Sequence, residues 1–254
     1  MFHFKNAEVC YGKKPVLENI DITVERGMVT AILGPNGCGK STLLKSAAGQ
    51  LPLAAGNIFV DGSSIGDMDP IELAGKVAFL PQTRPVPNIS AGKLVLHGRF
   101  PHLKFPRKYG VRDQEIAAEV MDQLDISPLA PRNMQQLSGG ERQKVYLAMA
   151  LCQQTDAVLM DEPTTYLDID HQVMLWQRAE QLAQDGKAVL IVTHEITQAL
   201  RAADRVVVME KGKVKVFGTP REVLKALEEV FCIKIREQEG YFIAQLPLMG
   251  EKGV

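Results

Sequence analysis

The chain lacks several things that mark whole classes of protein. Its four cysteines, Cys10, Cys38, Cys152 and Cys232, form no C-x-x-C pair, which argues against a zinc ribbon or a disulfide framework and leaves reduced thiols in a cytosolic setting as the expectation. Charge of either sign is not in excess: 29 Lys and Arg stand against 30 Asp and Glu. There is thus no electrostatic case for nucleic acid as the main partner. No apolar run approaches the length that spans a bilayer, and residues 1–6 lack a basic start ahead of an apolar core. Any service to a membrane is expected from the water side. Internal repeats and low-complexity segments are missing as well. What remains is 254 residues, 46% hydrophobic and 23% charged, enough for one large α/β domain or two modest ones.

The stretch around which the rest is organised is Gly34-Pro35-Asn36-Gly37-Cys38-Gly39-Lys40-Ser41-Thr42. A β-branched run, Val29-Thr30-Ala31-Ile32-Leu33, precedes it and a helix-like run follows. The order strand, loop, helix suits an anion site: the glycines let successive N–H groups and the helix N-terminus face one phosphate. Lys40 adds a mobile positive charge for the β- and γ-phosphates of a nucleotide, and the Ser41 hydroxyl suits Mg²⁺. Four fixed positions in eight make a chance match rare; the alternative is a glycine-rich turn before an ordinary helix.

Alternation at Ile20, Ile22 and Val24, and again at residues 57–60 ahead of Asp61-Gly62, predicts a small antiparallel sheet around this loop. Tyr11 falls in that sheet, either as a base-stacking aromatic or as an ordinary strand tyrosine. Residues 77–80 form a short apolar strand that ends at Pro81-Gln82. Beyond it the chain turns proline-broken, and helical spacing appears at Ile116, Val120, Met121 and Leu124. Residues 83–153 therefore read as a mostly helical subdomain inserted into a core of residues 1–82 and 154–254. Its basic and aromatic stretch Gly98-Arg99-Phe100-Pro101-His102-Leu103-Lys104-Phe105-Pro106-Arg107 is a nucleic-acid contact, a solvated loop or a protein-binding surface. The prolines and Phe residues favour the last.

Leu137-Ser138-Gly139-Gly140-Glu141-Arg142-Gln143 opens a second helix. Ser138, Gly139 and Gly140 at a helix start are either a plain cap or a second anion site. With only one lysine-bearing phosphate loop in the chain, the simplest use of a second site is on a nucleotide held by another copy. Residues 157–160 form a buried-type strand that ends in Asp161 and Glu162, where α/β sheets place ligands. Asp161 suits a Mg²⁺ shell and Glu162 suits orienting or deprotonating a water; the alternative is a pair of solvated acids. His194 follows the apolar run 188–193, as a γ-phosphate contact or a structural histidine. His3, His97, His102 and His171 show no metal-ligand spacing and receive no role. Residues 205–209 and 213–217 read as a hairpin about Lys211-Gly212, and Thr219-Pro220-Arg221-Glu222 as a capping box that starts a helix. Two short strands about Glu239-Gly240 and a loose tail from Gly250 complete the chain.

With the phosphate loop, Gln82, Leu137 to Gln143, Asp161-Glu162 and His194 in this order, the chain resembles the nucleotide-binding subunits of ATP-binding cassette transporters over essentially its whole length. The resemblance implies an α/β phosphate-loop ATPase core with an antiparallel β subdomain and an inserted α-helical subdomain, using ATP and Mg²⁺. It implies adenine stacking by Tyr11, phosphate binding by Gly34 to Thr42, and metal contacts from Ser41, Gln82 and Asp161. Glu162 is then the catalytic carboxylate, Gln82 its link to metal and water, His194 the γ-phosphate sensor, and Asp168 a residue crossing a dimer interface. Ser138, Gly139 and Gly140 would cover ATP on the opposite copy in a head-to-tail homodimer. One departure is Glu195, where an Asp more often follows the histidine.

Gly98 to His102 and residues 164–169 resemble more narrowly the ATPases of importers for iron–siderophore complexes, haem and cobalamin. The chain also ends at 254, without room for the regulatory domain of many sugar-importer ATPases. This implies integral membrane permease subunits as partners, a substrate-binding protein as an indirect one, no nucleic acid, and a peripheral place at the cytoplasmic membrane face. Substituting Arg99 and Phe100 is then expected to impair coupling more than ATP binding. The competing readings are a soluble cassette ATPase acting on DNA or ribosomes, which usually carries tandem cassettes or basic extensions, and a phosphate-loop kinase, which leaves Leu137 to Gln143 unexplained.

Overall fold

The computed structural model describes residues 1–165, 167–238 and 240–245. The tail expected from Gly250 lies outside these. In chain order the first half runs β1 (Phe2–Tyr11), β2 (Lys14–Val24), β3 (Met28–Leu33), α1 (Lys40–Ala47), β4 (Ala55–Val60), β5 (Ser63–Ser64), α2 (Pro70–Lys76), β6 (Val77–Leu80), α3 (Ala91–His97) and α4 (Val111–Gln123). The second half runs α5 (Gly139–Cys152), β7 (Ala157–Asp161), α6 (Ile169–Gln184), β8 (Ala188–Val192), α7 (Ile196–Ala202), β9 (Arg205–Glu210), β10 (Lys213–Gly218), α8 (Leu224–Phe231), β11 (Lys234–Gln238) and β12 (Tyr241–Gln245).

Three layers follow from how the apolar strands divide their side chains. A six-stranded sheet of order β10-β9-β3-β8-β7-β6 is parallel except at β10. Its inner strands are apolar at consecutive positions because both faces are covered. Val29, Ala31, Val158, Met160, Val189 and Ile191 pack with Leu175 and Trp176 of α6 and Leu200 of α7. The alternate residues Ile32, Leu159, Leu190 and Val192 pack with Leu43 and Leu44 of α1 and with Phe2, Phe4 and Ile20 of the second sheet. That second sheet, β2-β1-β4-β5, is antiparallel and lies beyond α1. The expected hairpin at residues 205–217 exists, but β9 also pairs in parallel with β3 and so belongs to the central sheet.

Between β6 and β7 the chain forms α3, α4 and α5, whose Val95, Ile116, Val120, Met121, Val145 and Leu147 share one buried cluster. Arg99 corrects the sequence reading. It is 8% exposed, pairs with Asp113 at 3.1 Å, and donates to the Cys152 carbonyl at 2.9 Å and to Gln154 Oε1 at 3.1 Å. A guanidinium committed to the end of α3, the start of α4 and the end of α5 is a structural tie, not a coupling contact. The exposed aromatics of that stretch are Phe100, 43% exposed with Arg107 stacked on its ring at 4.7 Å, and Phe105, 97% exposed.

Three helices went unread in the sequence: α2, α6 and α7. Conversely, the capping box at residues 219–222 does not begin a helix. Glu222 accepts from the Thr219 N–H at 2.7 Å, which closes a turn, and α8 starts only at Leu224. Removing the guanidinium in Arg99→Ala takes away the buried donor to the Cys152 carbonyl and the Asp113 pairing, although Asp113 keeps the Gly110 N–H at 2.9 Å, at a cost of about 2 kcal/mol. Urea unfolding should show this loss as a lower midpoint with an unchanged slope.

Candidate functional site

Register explains why distant residues meet. Ile32 and Asp161 both stand opposite Val192, and Leu80 stands opposite Met160, so β3, β8, β7 and β6 end nearly level. Each strand end delivers one part of the site: the 34–39 loop after β3, Gln82 after β6, Asp161-Glu162 at the end of β7, and His194 after β8. This is the edge of an open α/β sheet at which ligands bind.

The loop has room only for glycine at two of its turns. A Cβ at Gly34 would lie 2.4 Å from the Met209 carbonyl, and one at Gly39 would lie 2.6 Å from Leu17 Cδ2, with φ at +107° as well. The backbone can therefore wrap closely around an anion while β2 and β9 support it from behind. Lys40 is buried, and its ammonium donates to the carbonyls of Gly34 at 2.8 Å and Pro35 at 3.0 Å. Cys38 is also buried, and loss of solvent raises its thiol pKa.

Two carboxylates face this loop with different partners. Asp161 is buried, and Ser41 Oγ donates to its Oδ1 at 3.0 Å. Burial raises its pKa above the usual carboxylate range, the Ser41 bond opposes that, and the neighbouring Glu162 charge adds to it. Glu162 has a left-handed backbone, φ +49°, an uncommon conformation for a side chain of this kind. Its Oε2 accepts from Gln82 Nε2 at 2.5 Å and its Oε1 meets His194 Nε2 at 2.5 Å. Both oxygens are thus held from the flanking strands.

These groups surround an open cavity of about 520 Å³ lined by Asn36, Gly37, Gly39, Lys40, Ser41, Thr42, Gln82, Glu162 and His194. Val16 lines it too, a contact the sequence did not signal. Tyr11 does not. It sits half exposed at the tip of the β1–β2 hairpin, paired with Lys14. Ser138 caps α5 in a reciprocal box with Glu141, and Gly139 opens onto a separate cavity of about 340 Å³ that shares Gln82. Within one chain, then, Ser138, Gly139 and Gly140 do not line the phosphate cavity. Asp168 caps α6 by accepting from the His171 N–H at 3.1 Å and is well exposed. Glu195 turns away from the cavity and accepts from Trp176 Nε1 at 3.2 Å.

Fold and site together define a phosphate-loop nucleotide-binding protein, with oxygen donors that match the hard-cation preference of Mg²⁺. The chain belongs to the ABC transporter family, whose profile matches residues 17–165. It is 37% identical over 227 residues to the iron(3+)-hydroxamate import ATP-binding protein FhuC of Bacillus subtilis, covering 88% of this chain and 84% of that one. The hemin import ATP-binding protein HmuV of Nocardia farcinica is 41% identical over 210 residues, covering 82% and 72%. Among solved structures, an inward-facing ABC transporter assigned to the metal-chelate type superposes with TM-score 0.80 at 27% identity, covering 96% and 95%. A dimeric ATP-binding cassette in a post-hydrolysis state with ADP and Pi superposes with TM-score 0.78 at 28% identity, covering 87% and 99%.

Because burial penalises the charged form of Asp161, its ionisation costs folded-state stability above its raised pKa, and protonation relieves that cost as pH falls through it. Asp161→Asn keeps an acceptor for Ser41 without the charge. Without nucleotide it should melt a few degrees above the parent at pH 7.5. The gap, followed by calorimetry, should narrow on acidification.

Proposed function

We propose that this chain is the ATP-hydrolysing subunit of an importer for a metal chelate of the iron–siderophore, haem or cobalamin kind, working with membrane permease subunits and, through them, a substrate-binding protein. The observation that carries the hydrolytic part is the Glu162 carboxylate, held at both oxygens beside the phosphate cavity. The cargo class is supported by relatives named for hydroxamate and hemin import. Among the described residues no helix is long and apolar enough to cross a membrane, so translocation itself falls to a partner. The balanced charge gives no support to a nucleic-acid or ribosome role.

In the proposed cycle the backbone amides of residues 34–42 and the Lys40 ammonium bind the phosphates of ATP. Moving onto phosphate would require Lys40 to leave the Gly34 and Pro35 carbonyls, an exchange of neutral acceptors for charged ones that favours the ligand. Ser41, Asp161 and Gln82 would hold Mg²⁺, which when bound offsets phosphate charge. Glu162, aimed by Gln82 and His194, orients and deprotonates the attacking water; His194 contacts the γ-phosphate. Tyr11 stacks on the adenine from the hairpin tip. Two copies assemble head to tail, so that Ser138, Gly139 and Gly140 of one cover ATP on the other and Asp168 crosses between them. Phe100 and Phe105 are the exposed residues offered to the permease from the peripheral, cytoplasmic side.

Glu162→Gln preserves the shape of the side chain and removes the base. Its turnover should fall by at least about a hundredfold, while gel filtration in ATP and Mg²⁺ shows a stable dimer. A variant that hydrolyses ATP at the parent rate would overturn the assignment of the base. Uptake of candidate chelates into vesicles bearing the assembled transporter tests the cargo class.

A further inference from the structure

His171 stands in the first turn of α6 and was given no role by spacing. In the fold it joins two elements that the proposed dimer brings to its interface. Its Nε2 meets the ammonium of Lys144 on α5, and its Nδ1 meets Oδ1 of Asp168. An ammonium has only protons to offer. The His171 Nε2 must therefore accept, which places the ring proton on Nδ1 and makes that nitrogen the donor to Asp168. The arrangement from Lys144 through His171 to Asp168 is satisfied only by a neutral imidazole in that one tautomer.

Two consequences follow from the atoms used. Asp168 Oδ1 receives both the His171 ring proton and the His171 backbone N–H, so Oδ2 is the oxygen left for another partner. Those same bonds hold the Asp168 pKa below the usual carboxylate range. Lys144 lies on the helix that Ser138 caps, so the bridge also fixes that helix against the Asp168 loop.

We propose that His171 is a positioning residue for the composite nucleotide site: bridging Lys144 and Asp168, it locks Asp168 to the Ser138 helix in the geometry that receives a second copy.

The inference rests on the proposed dimer, and the test separates the two. In the Glu162→Gln chain, ATP-dependent dimerisation is measured by analytical ultracentrifugation at pH 7.5 with His171 intact, as His171→Gln and as His171→Leu. Glutamine can accept from Lys144 and donate to Asp168. His171→Gln should dimerise within about twofold of the chain with His171 intact, and His171→Leu at least about fivefold more weakly. Dimerisation by His171→Leu as tight as with His171 intact, or by His171→Gln as weak as by His171→Leu, would overturn the inference. Absence of any dimer with His171 intact at pH 7.5 would instead remove the head-to-tail reading, and this inference with it.

Discussion

The Glu162 carboxylate, held between Gln82 and His194, is the contact on which the geometry of the site turns. It exists because β6, β7 and β8 are neighbours in that order and end at nearly the same level, so each can present one residue to a common point. A slip of one residue in any of these parallel pairings would reverse which side chains face α1 and which face α6. The same two-sided burial that makes these strands continuous apolar runs therefore also aligns the groups proposed to act on the nucleotide. The left-handed backbone at Glu162, φ +49°, departs from ordinary side-chain preference, as backbones at functional sites often do.

The phosphate loop beside this contact is supported from outside its own strand and helix. Met209 of β9 and Leu17 of β2 close against Gly34 and Gly39, so the loop is held by both sheets. The antiparallel sheet is therefore part of the nucleotide site even though Val16 is its one residue on the cavity wall. Asp161, buried and raised in pKa, stands where the apo protein tolerates an unfavourable charge. Such a charge is useful only beside cations, and Lys40 and Lys45 already act in that direction.

Much of this was legible in the chain because the informative residues are local. A nine-residue loop, a Ser-Gly-Gly helix start and an Asp-Glu strand end each carry their chemistry within a few positions. What was not legible depends on packing. Arg99 looks like a surface cation among prolines and aromatics until Asp113 and the end of α5 close over it. Glu195 looks like a variant site acid until Trp176 claims it. The helices α2 and α7 are seven residues each, too short for periodicity to register, and α6 hides its apolar face among glutamines. His171 has no sequence signal because its partners come from another helix and from the preceding loop.

In the proposed assembly one chain holds only half of each hydrolytic site. Mixing two disabled chains tests it most directly, one with Lys40→Ala and an intact Ser138, the other with Ser138→Arg and an intact Lys40. Each alone should be nearly inactive, and the mixture should regain ATPase activity, because the mixed pair contains one site built from the intact Lys40 and the intact Ser138. A mixture as silent as its components, although the mixed pair is shown to form, would contradict the claim.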